Sequence, residues 1–181
     1  MAVKITYFVH GTTTDNEKEV SSGWYNVELS EKGIKQSIEL KNQIQGKKFD
    51  IVFCSDLKRA FDSAMLTFNG EVEIIPDKRL RECNYGKFNA QPSEIVEPMQ
   101  ENCISERFPD GESYEDVKKR IADFLEFLKE NYDGKNVAII AHQAPQLSLD
   151  VLIKNKSWEQ AFAEDWRKTK NWQPGWEYVV E

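Results

Sequence analysis

The two histidines of this chain, His10 and His142, each follow a short apolar run, KITYFV in one case and NVAIIA in the other. Runs of this length and composition predict buried strands. In an open parallel α/β sheet, ligands bind at the carboxyl ends of the strands. A single histidine in such a place is most simply a structural residue, but two in equivalent places indicate a site where imidazole can act as a base, an acid, a nucleophile or a ligand.

Two further segments carry groups that bind phosphate. In VHGTTTDN, Gly11 would let the backbone approach a bound group, and Thr13 and Asn16 offer hydrogen bonds. In SDLKRAFDSA, Arg59 falls in the first turns of a predicted helix that follows a strand. A guanidinium and a helix N-terminus both favour phosphate oxygens, so we expect both near the end of that strand.

A carboxylate and the second histidine complete the set. Glu82 lies in the predicted loop RLRECNYG and is a candidate proton donor. Each group also has a plain alternative: Arg59 as a solvated helix residue, Glu82 as a surface carboxylate, His142 as a helix cap. His10, His142 and Glu82 are also a ligand set for iron or zinc, although the positive charge of Arg59 would repel a cation from the same pocket. We therefore expect no metal.

Strand and helix patterns alternate along the chain, which predicts an α/β fold with a mainly parallel sheet covered by helices. The apolar side of the first helix is expected at Ile34, Ile38 and residues 40–44. The predicted strands are 4–9, 50–55, 71–76 and 136–141, and the predicted helices are 30–44, 56–68, 94–101, 113–131 and a last one that starts at Gln143 or Pro145 and ends near Lys154.

The C-terminal segment holds four of the five tryptophans. It predicts one helix over 157–168 followed by an edge strand, WEYVV. Tryptophans at this density more often pack against a sheet than bind a ligand. We therefore interpret this tail as structural.

Length and charge limit the possible functions. The 181 residues predict a single domain over 1–181. A formal net charge of −7 argues against binding to nucleic acid or an anionic membrane. Three cysteines without metal-type spacing indicate reduced thiols. The first residues lack a signal-peptide pattern, and no apolar run is long enough to span a bilayer, so we expect a cytoplasmic location. The sequence predicts no oligomeric state.

The segments VHGTTTDN, LSEKGIKQ, SDLKRAFDSA, RLRECNYGKF, FPDGESYEDV and IIAHQAPQ, in this order, resemble the histidine phosphatase superfamily. That group includes cofactor-dependent phosphoglycerate mutases and small phosphomonoesterases. The resemblance runs from the first strand through His142. It implies a three-layer α/β/α sandwich with a mostly parallel central sheet, as in phosphoglycerate mutases.

The resemblance also implies roles for individual residues. His10 would accept the phosphoryl group as a phosphohistidine, and Arg59 would bind its oxygens. His142 would donate a hydrogen bond to the transferred group. Glu82 would protonate the leaving oxygen and then activate water, while Thr13 and Asn16 would line the pocket. No cofactor is implied, and the expected partner is a small phosphorylated substrate.

The sequence departs from the family pattern beside the nucleophile. The family places an arginine before the nucleophilic histidine, and this chain has Val9. Gln143 stands where the family has a small residue and would add a hydrogen-bond donor. Arg81 and Lys87 are candidates to replace the missing charge, and Arg81 matches an arginine frequent in the family.

We interpret the chain as a phosphomonoester hydrolase. The alternative is a degenerate member, weakly active or non-catalytic, that binds phosphorylated ligands or proteins, an option that Val9 keeps open. Phosphoglycerate mutase activity is disfavoured because the mutases of this family are longer and use additional segments to retain their intermediate.

Overall fold

The computed structural model describes residues 1–68, 70–169 and 175–181. In chain order the strands are β1 (Val3–Val9), β2 (Val20–Ser21), β3 (Ile51–Cys54), β4 (Ile74–Pro76), β5 (Gln91–Pro92), β6 (Asn136–Ala141) and β7 (Trp176–Val180). The α-helices are α1 (Thr14–Glu17), α2 (Glu31–Gln43), α3 (Lys58–Phe68), α4 (Ser93–Gln100), α5 (Tyr114–Asn131), α6 (Gln143–Ile153), α7 (Trp158–Ala163) and α8 (Trp166–Thr169). Short 3-10 turns cover Lys78–Leu80, Gly86–Phe88 and Glu101–Cys103.

The central sheet has five strands in the order β4-β3-β6-β1-β7. Its first four strands run parallel, and β7 pairs antiparallel with β1 at the edge. The register places Val9 opposite Ala141, so the next residue of each strand, His10 and His142, leaves the sheet at the same point. The fold thereby brings the two histidines together, as their strand-end positions predict.

Helices cover both faces of this sheet. Alternate side chains of β1, β3 and β6 pack with α5, α6 and α7 on one face, and the intervening ones pack with α2 and α3 on the other. In β1, for example, Ile5 and Tyr7 pack on the face covered by α5, α6 and α7, and Phe8 packs on the face covered by α2 and α3. The predicted three-layer α/β/α sandwich with a mostly parallel sheet is confirmed.

The predicted apolar side of α2 is correct at Leu40 and at Ile44, directly after the helix, but wrong at Ile34 and Ile38. Ile34 and Ile38 are 39% and 50% exposed, whereas Gly33, Ser37 and Leu40 are buried. The reason is the close crossing of the loop after β1: a Cβ atom on Gly11 would lie 2.5 Å from the carbonyl oxygen of Gly33. A helix that packs this closely on backbone turns its smallest residues inward, whatever its hydrophobic periodicity.

The tail contains two short helices where the sequence predicts one. The side chain of Asp165 accepts a hydrogen bond from the backbone N–H of Arg167, which ends one helix and starts the next. The predicted edge strand is confirmed as β7, and Trp158 and Trp176 are buried as expected for structural tryptophans. Trp172 lies outside the described residues.

The other predicted elements match closely, with one shortened strand. The expected strand 71–76 is reduced to Ile74–Pro76. The predicted helix at 94–101 is confirmed as α4, and Ser113 caps α5 as expected. No helix in the described ranges combines the length and apolar character needed to cross a bilayer.

Candidate active site

His10 and His142 form the centre of the site. Their ring centroids are 5.1 Å apart, with the ring planes at 62°. The Nδ1 atom of His10 lies 2.7 Å from the carbonyl oxygen of Gly11. A carbonyl can only accept, so Nδ1 carries the proton, and in the neutral ring Nε2 keeps its lone pair. That lone pair is what a nucleophilic imidazole needs.

Both imidazoles are held neutral. Burial, the nearby charge of Arg59 and, more weakly, that of Arg167 lower the pKa of His10 to about 3. The pKa of His142 is also lowered far below its ordinary value, by burial first and then by the charges of Arg59 and His10. Near neutral pH the two rings therefore carry no charge.

The backbone of His142 is fixed by a buried tyrosine. The hydroxyl of Tyr7 donates to the carbonyl oxygen of His142 at 2.5 Å and accepts from its N–H at 2.9 Å. The two ring nitrogens of His142 are buried and have no hydrogen-bond partner among the described residues. Buried polar atoms are almost always paired in folded proteins, so this ring keeps an unused donor and an unused acceptor directly behind the cavity-lining His10.

A cavity of about 590 Å³ opens beside the histidines. Arg59 is buried at its wall and donates to the carbonyl oxygens of Tyr25 and Gly23, at 3.1 and 2.7 Å. These two bonds use part of the guanidinium and fix its plane, while its other N–H groups remain available to an oxyanion. Val9, His10 and Gln143 also line this cavity.

Glu82 lines the same cavity with its carboxylate held by the backbone. Its Oε1 atom accepts from the N–H groups of Cys83 and Ala144, at 2.8 and 3.1 Å. Its own carbonyl oxygen accepts from Trp24 Nε1 and from Arg120. Glu82 is 8% exposed, unlike the other cavity-lining carboxylates of the described chain, which lie at the exposed rim. It is therefore the carboxylate best placed to exchange a proton with a bound substrate.

The loop after β1 contributes less than the sequence predicts. Asn16 does line the cavity. Thr13 is fully buried and caps α1, exchanging hydrogen bonds with Asn16. The N–H of Gly11 donates to Ser63, and its missing side chain makes room for α2. Thr13 and Gly11 thus shape the loop and are not among the residues that line this cavity, although Gly11 lines a neighbouring cavity that also reaches His10.

Arg81 is not brought to the cavity. It forms two hydrogen bonds of 2.7 Å with Asp56 and stacks on Trp24, whose indole N–H donates to Glu82. Lys87 is exposed and lies beside Asp110. Neither cation supplies the charge that the sequence lacks at Val9, and Arg81 instead supports the loop that carries Glu82.

Several cavity residues are missed by the sequence argument. Trp166 and Arg167 reach it from the tail, and the rim includes three exposed carboxylates, those of Glu19, Glu94 and Glu97. Asp165, the buried residue directly before Trp166, accepts a hydrogen bond on its carboxylate from Gln143 Nε2 at 2.5 Å. No pattern in the sequence marks these residues, because none of them directly follows a predicted strand and the contact of Asp165 with Gln143 is a tertiary one.

The alternative metal site finds no support in the ligand geometry. Within 1–68, 70–169 and 175–181, no three or more His, Cys, Asp or Glu side chains are grouped to hold an ion. The guanidinium of Arg59 also shares the cavity with His10 and Glu82. The arrangement suits an anion.

The neutral histidines, His142 buried and His10 partly buried, make stability depend on pH. An unfolded histidine has a pKa near 6.5, so below that pH the unfolded chain takes up protons that His10 and His142 do not. The free energy of unfolding should therefore fall as the pH drops from about 6.5, by at most about 1.4 kcal/mol per pH unit for each histidine. Urea denaturation at pH 7.5, 6.5 and 5.5 in phosphate-free buffer measures this, and His142→Gln should flatten the dependence. An unchanged slope in that variant would contradict the burial argument.

Comparison with known proteins identifies the group to which this arrangement belongs. Residues 7–175 match the model of the histidine phosphatase superfamily, branch 1. Fructose-2,6-bisphosphatase TIGAR of Xenopus tropicalis is 33% identical over 134 residues, which are 68% of this chain and 49% of that relative. The match thus spans about half the length of that protein.

Other relatives cover more of their own length. Phosphoserine phosphatase 1 of Hydrogenobacter thermophilus is 25% identical over 156 residues, 81% of this chain and 74% of the relative. The solved structure of the alpha-ribazole phosphatase from Shigella flexneri superposes with a TM-score of 0.76 at 23% identity, covering 90% of this chain and 84% of that one, and shows the same fold. The match at 7–175 and these likenesses show that the chain belongs to the histidine phosphatase superfamily, branch 1.

Proposed function

We propose that this protein hydrolyses small phosphate monoesters through a phosphohistidine at His10. The observation that carries the proposal is the hydrogen bond from His10 Nδ1 to the carbonyl oxygen of Gly11, which leaves the Nε2 lone pair free. That ring lines a cavity shared with Arg59 and Glu82. The names of the relatives, phosphatases for small phosphorylated compounds, support the same reaction class.

In the first step Nε2 of His10 forms a bond to phosphorus while the bond to the leaving oxygen breaks. Protonated Glu82 gives its proton to that oxygen, and the alcohol departs. Nδ1 keeps its proton and its bond to the Gly11 carbonyl, which stabilises the positive charge of the phosphorylated ring. Arg59 and His142 donate hydrogen bonds to the oxygens of the transferring group. Stabilising the negative charge on these oxygens is a main contribution of the protein to phosphoryl transfer.

In the second step water attacks phosphorus and the bond to Nε2 breaks. The carboxylate of Glu82 now accepts a proton from that water, so inorganic phosphate leaves and Glu82 is again protonated. One proton donor and one nucleophile thus complete the cycle. The roles of Glu82 in the two steps are reciprocal, as general acid and base catalysis requires.

The same features support a cytoplasmic location and a small-molecule partner. All three cysteines are free and buried, which suits a reducing compartment. The cavity volume of about 590 Å³ suits a metabolite-sized ester. The net charge of −7 gives no general attraction to nucleic acid.

A panel of phosphate monoesters assayed for released phosphate tests the proposal, with His10→Ala as the control. The panel should include sugar, nucleoside, amino acid and aryl phosphates. We expect release from at least one class, and none above background from the variant. Phosphate binding without release from any ester would favour the non-catalytic alternative.

The acidic rim predicts a preference among leaving groups. Glu19, Glu94 and Glu97 are exposed cavity-lining residues, whereas Arg59 is buried in the cavity wall. Their field should favour a cationic leaving group over an anionic one of equal size. We expect kcat/KM for O-phosphoethanolamine to exceed that for 2-phosphoglycolate by roughly threefold to tenfold at low salt, with the ratio shrinking in about 1 M salt.

A charge-matched pair of double variants checks the origin of this preference. Glu94→Gln with Glu97→Gln should lower the ratio, because it removes two rim charges. Glu126→Gln with Glu130→Gln removes two charges from α5, away from the cavity lining, and should leave it unchanged. Equal ratios in both variants would show that the rim does not select the leaving group.

A further inference from the structure

A second cationic side chain, contributed by the C-terminal tail, lines the cavity. Among the described residues that line it, the cationic side chains are those of Arg59 and Arg167, while the strand end beside His10 presents the apolar Val9. A phosphate monoester carries close to two negative charges at neutral pH. Arg59 alone compensates part of this charge, and two of its donors are already committed to carbonyl oxygens.

Asp165 positions this second arginine. Asp165 is 1% exposed, and its carboxylate accepts from three groups: the N–H of Arg167 at 3.0 Å, Arg167 Nε at 3.3 Å and Gln143 Nε2 at 2.5 Å. Gln143 is the first residue of α6, directly after His142. The buried carboxylate therefore ties the arginine to the helix that begins at the catalytic histidine, and it stabilises the guanidinium charge there.

The outer part of the Arg167 guanidinium remains available. Its Nε atom faces Asp165, while Nη1 and Nη2 make no hydrogen bond within the described chain. The side chain is 32% exposed, and its charge is close enough to act on both His10 and Glu82. The neighbouring Trp166 also lines the cavity, and its buried indole N–H has no acceptor among the described residues.

We propose that Arg167, positioned by Asp165, binds an oxygen of the phosphoryl group opposite Arg59 and supplies the charge that Val9 does not. The catalytic part of this role rests on the proposed function, but the binding part does not. The two arginines approach from different elements, Arg59 from α3 and Arg167 from α8. A planar guanidinium on each side can hold the phosphoryl group in one orientation toward Nε2 of His10.

Calorimetric titration with inorganic phosphate tests the binding role directly. We expect Arg167→Ala to weaken phosphate binding by about 10- to 100-fold and to lower kcat/KM by a similar factor. Lys168→Ala is the matched control: Lys168 follows in the same helix but lies beside Glu101 and Phe162, so phosphate affinity should stay within about twofold of the wild type. Equal phosphate affinity in Arg167→Ala, Lys168→Ala and the wild type would overturn the proposal.

The variant Arg167→Lys distinguishes a loss of phosphate binding from a loss of folding. It keeps a positive charge near buried Asp165, so it should fold even where the alanine variant does not, yet it lacks the planar fork and should still bind phosphate several-fold more weakly. Wild-type affinity in this variant, with Arg167→Ala unfolded, would assign Arg167 a structural role. If the wild type binds phosphate but hydrolyses no ester, the proposed function fails, while the affinities of these variants still decide the role of Arg167.

Discussion

Replacing His10 by alanine should lower phosphate release by roughly 10⁴- to 10⁶-fold, the range expected when a covalent nucleophile is removed. No nearby group can take its place. The ring of His142 is the only neighbouring imidazole, and its backbone is tied to Tyr7, so it cannot move to the position of Nε2. Arg59 and the rest of the cavity would still bind substrate, so the loss should fall mainly on kcat.

Rapid quenching identifies the intermediate. Wild-type protein mixed with a substrate from the panel and quenched in alkali should carry phosphate that is stable to base and released by acid, the behaviour of phosphohistidine. His10→Gln, which keeps a polar side chain of similar length, should carry none. Turnover at the wild-type rate in either His10 variant, or labelling of another residue, would contradict the mechanism.

The sequence predicts the sheet and the central histidines because both depend on local patterns. Apolar runs of strand length ending in His10 and His142 suffice to place the two rings at one edge of a parallel sheet, and the register of Val9 with Ala141 confirms it. The first half of the buried face of α2 could not be predicted in this way. It depends on how closely the loop at Gly11 crosses the helix at Gly33, a tertiary contact that leaves Ile34 and Ile38 exposed while Leu40 is buried as predicted.

Prediction of the functional site from local sequence patterns has the same limit. Arg59 and Glu82 lie in the segments whose pattern marks them, and the structure brings both to the cavity. Arg81 lies in an equally marked segment, but Asp56 binds it elsewhere. Arg167 has no local signal at all: the buried bridge from Asp165 to Gln143, a tertiary contact, ties its segment to the helix that follows His142. Motifs predict the chemistry of a residue, whereas its partners decide where its charge is used.

The substitution Glu82→Gln should separate proton donation from binding. The glutamine side chain keeps an oxygen that can accept from the N–H groups of Cys83 and Ala144, so the loop should keep its shape. It has no proton to give to a leaving alkoxide. Two carboxylates of the neighbouring motif segments are engaged in ion pairs, Asp56 with Arg81 and Glu112 with Arg120.

The size of the effect of Glu82→Gln should therefore follow the basicity of the leaving oxygen. An alkyl phosphate releases a strongly basic alkoxide and should lose roughly 10²- to 10⁴-fold in kcat, whereas p-nitrophenyl phosphate, whose leaving oxygen needs little protonation, should lose less than about tenfold. Glu97→Gln removes an exposed carboxylate from the same cavity and should change the two substrates equally and little. Equal large losses on both substrates in Glu82→Gln would instead assign Glu82 to binding, because a group that only orients the phosphoryl moiety acts without regard to what leaves.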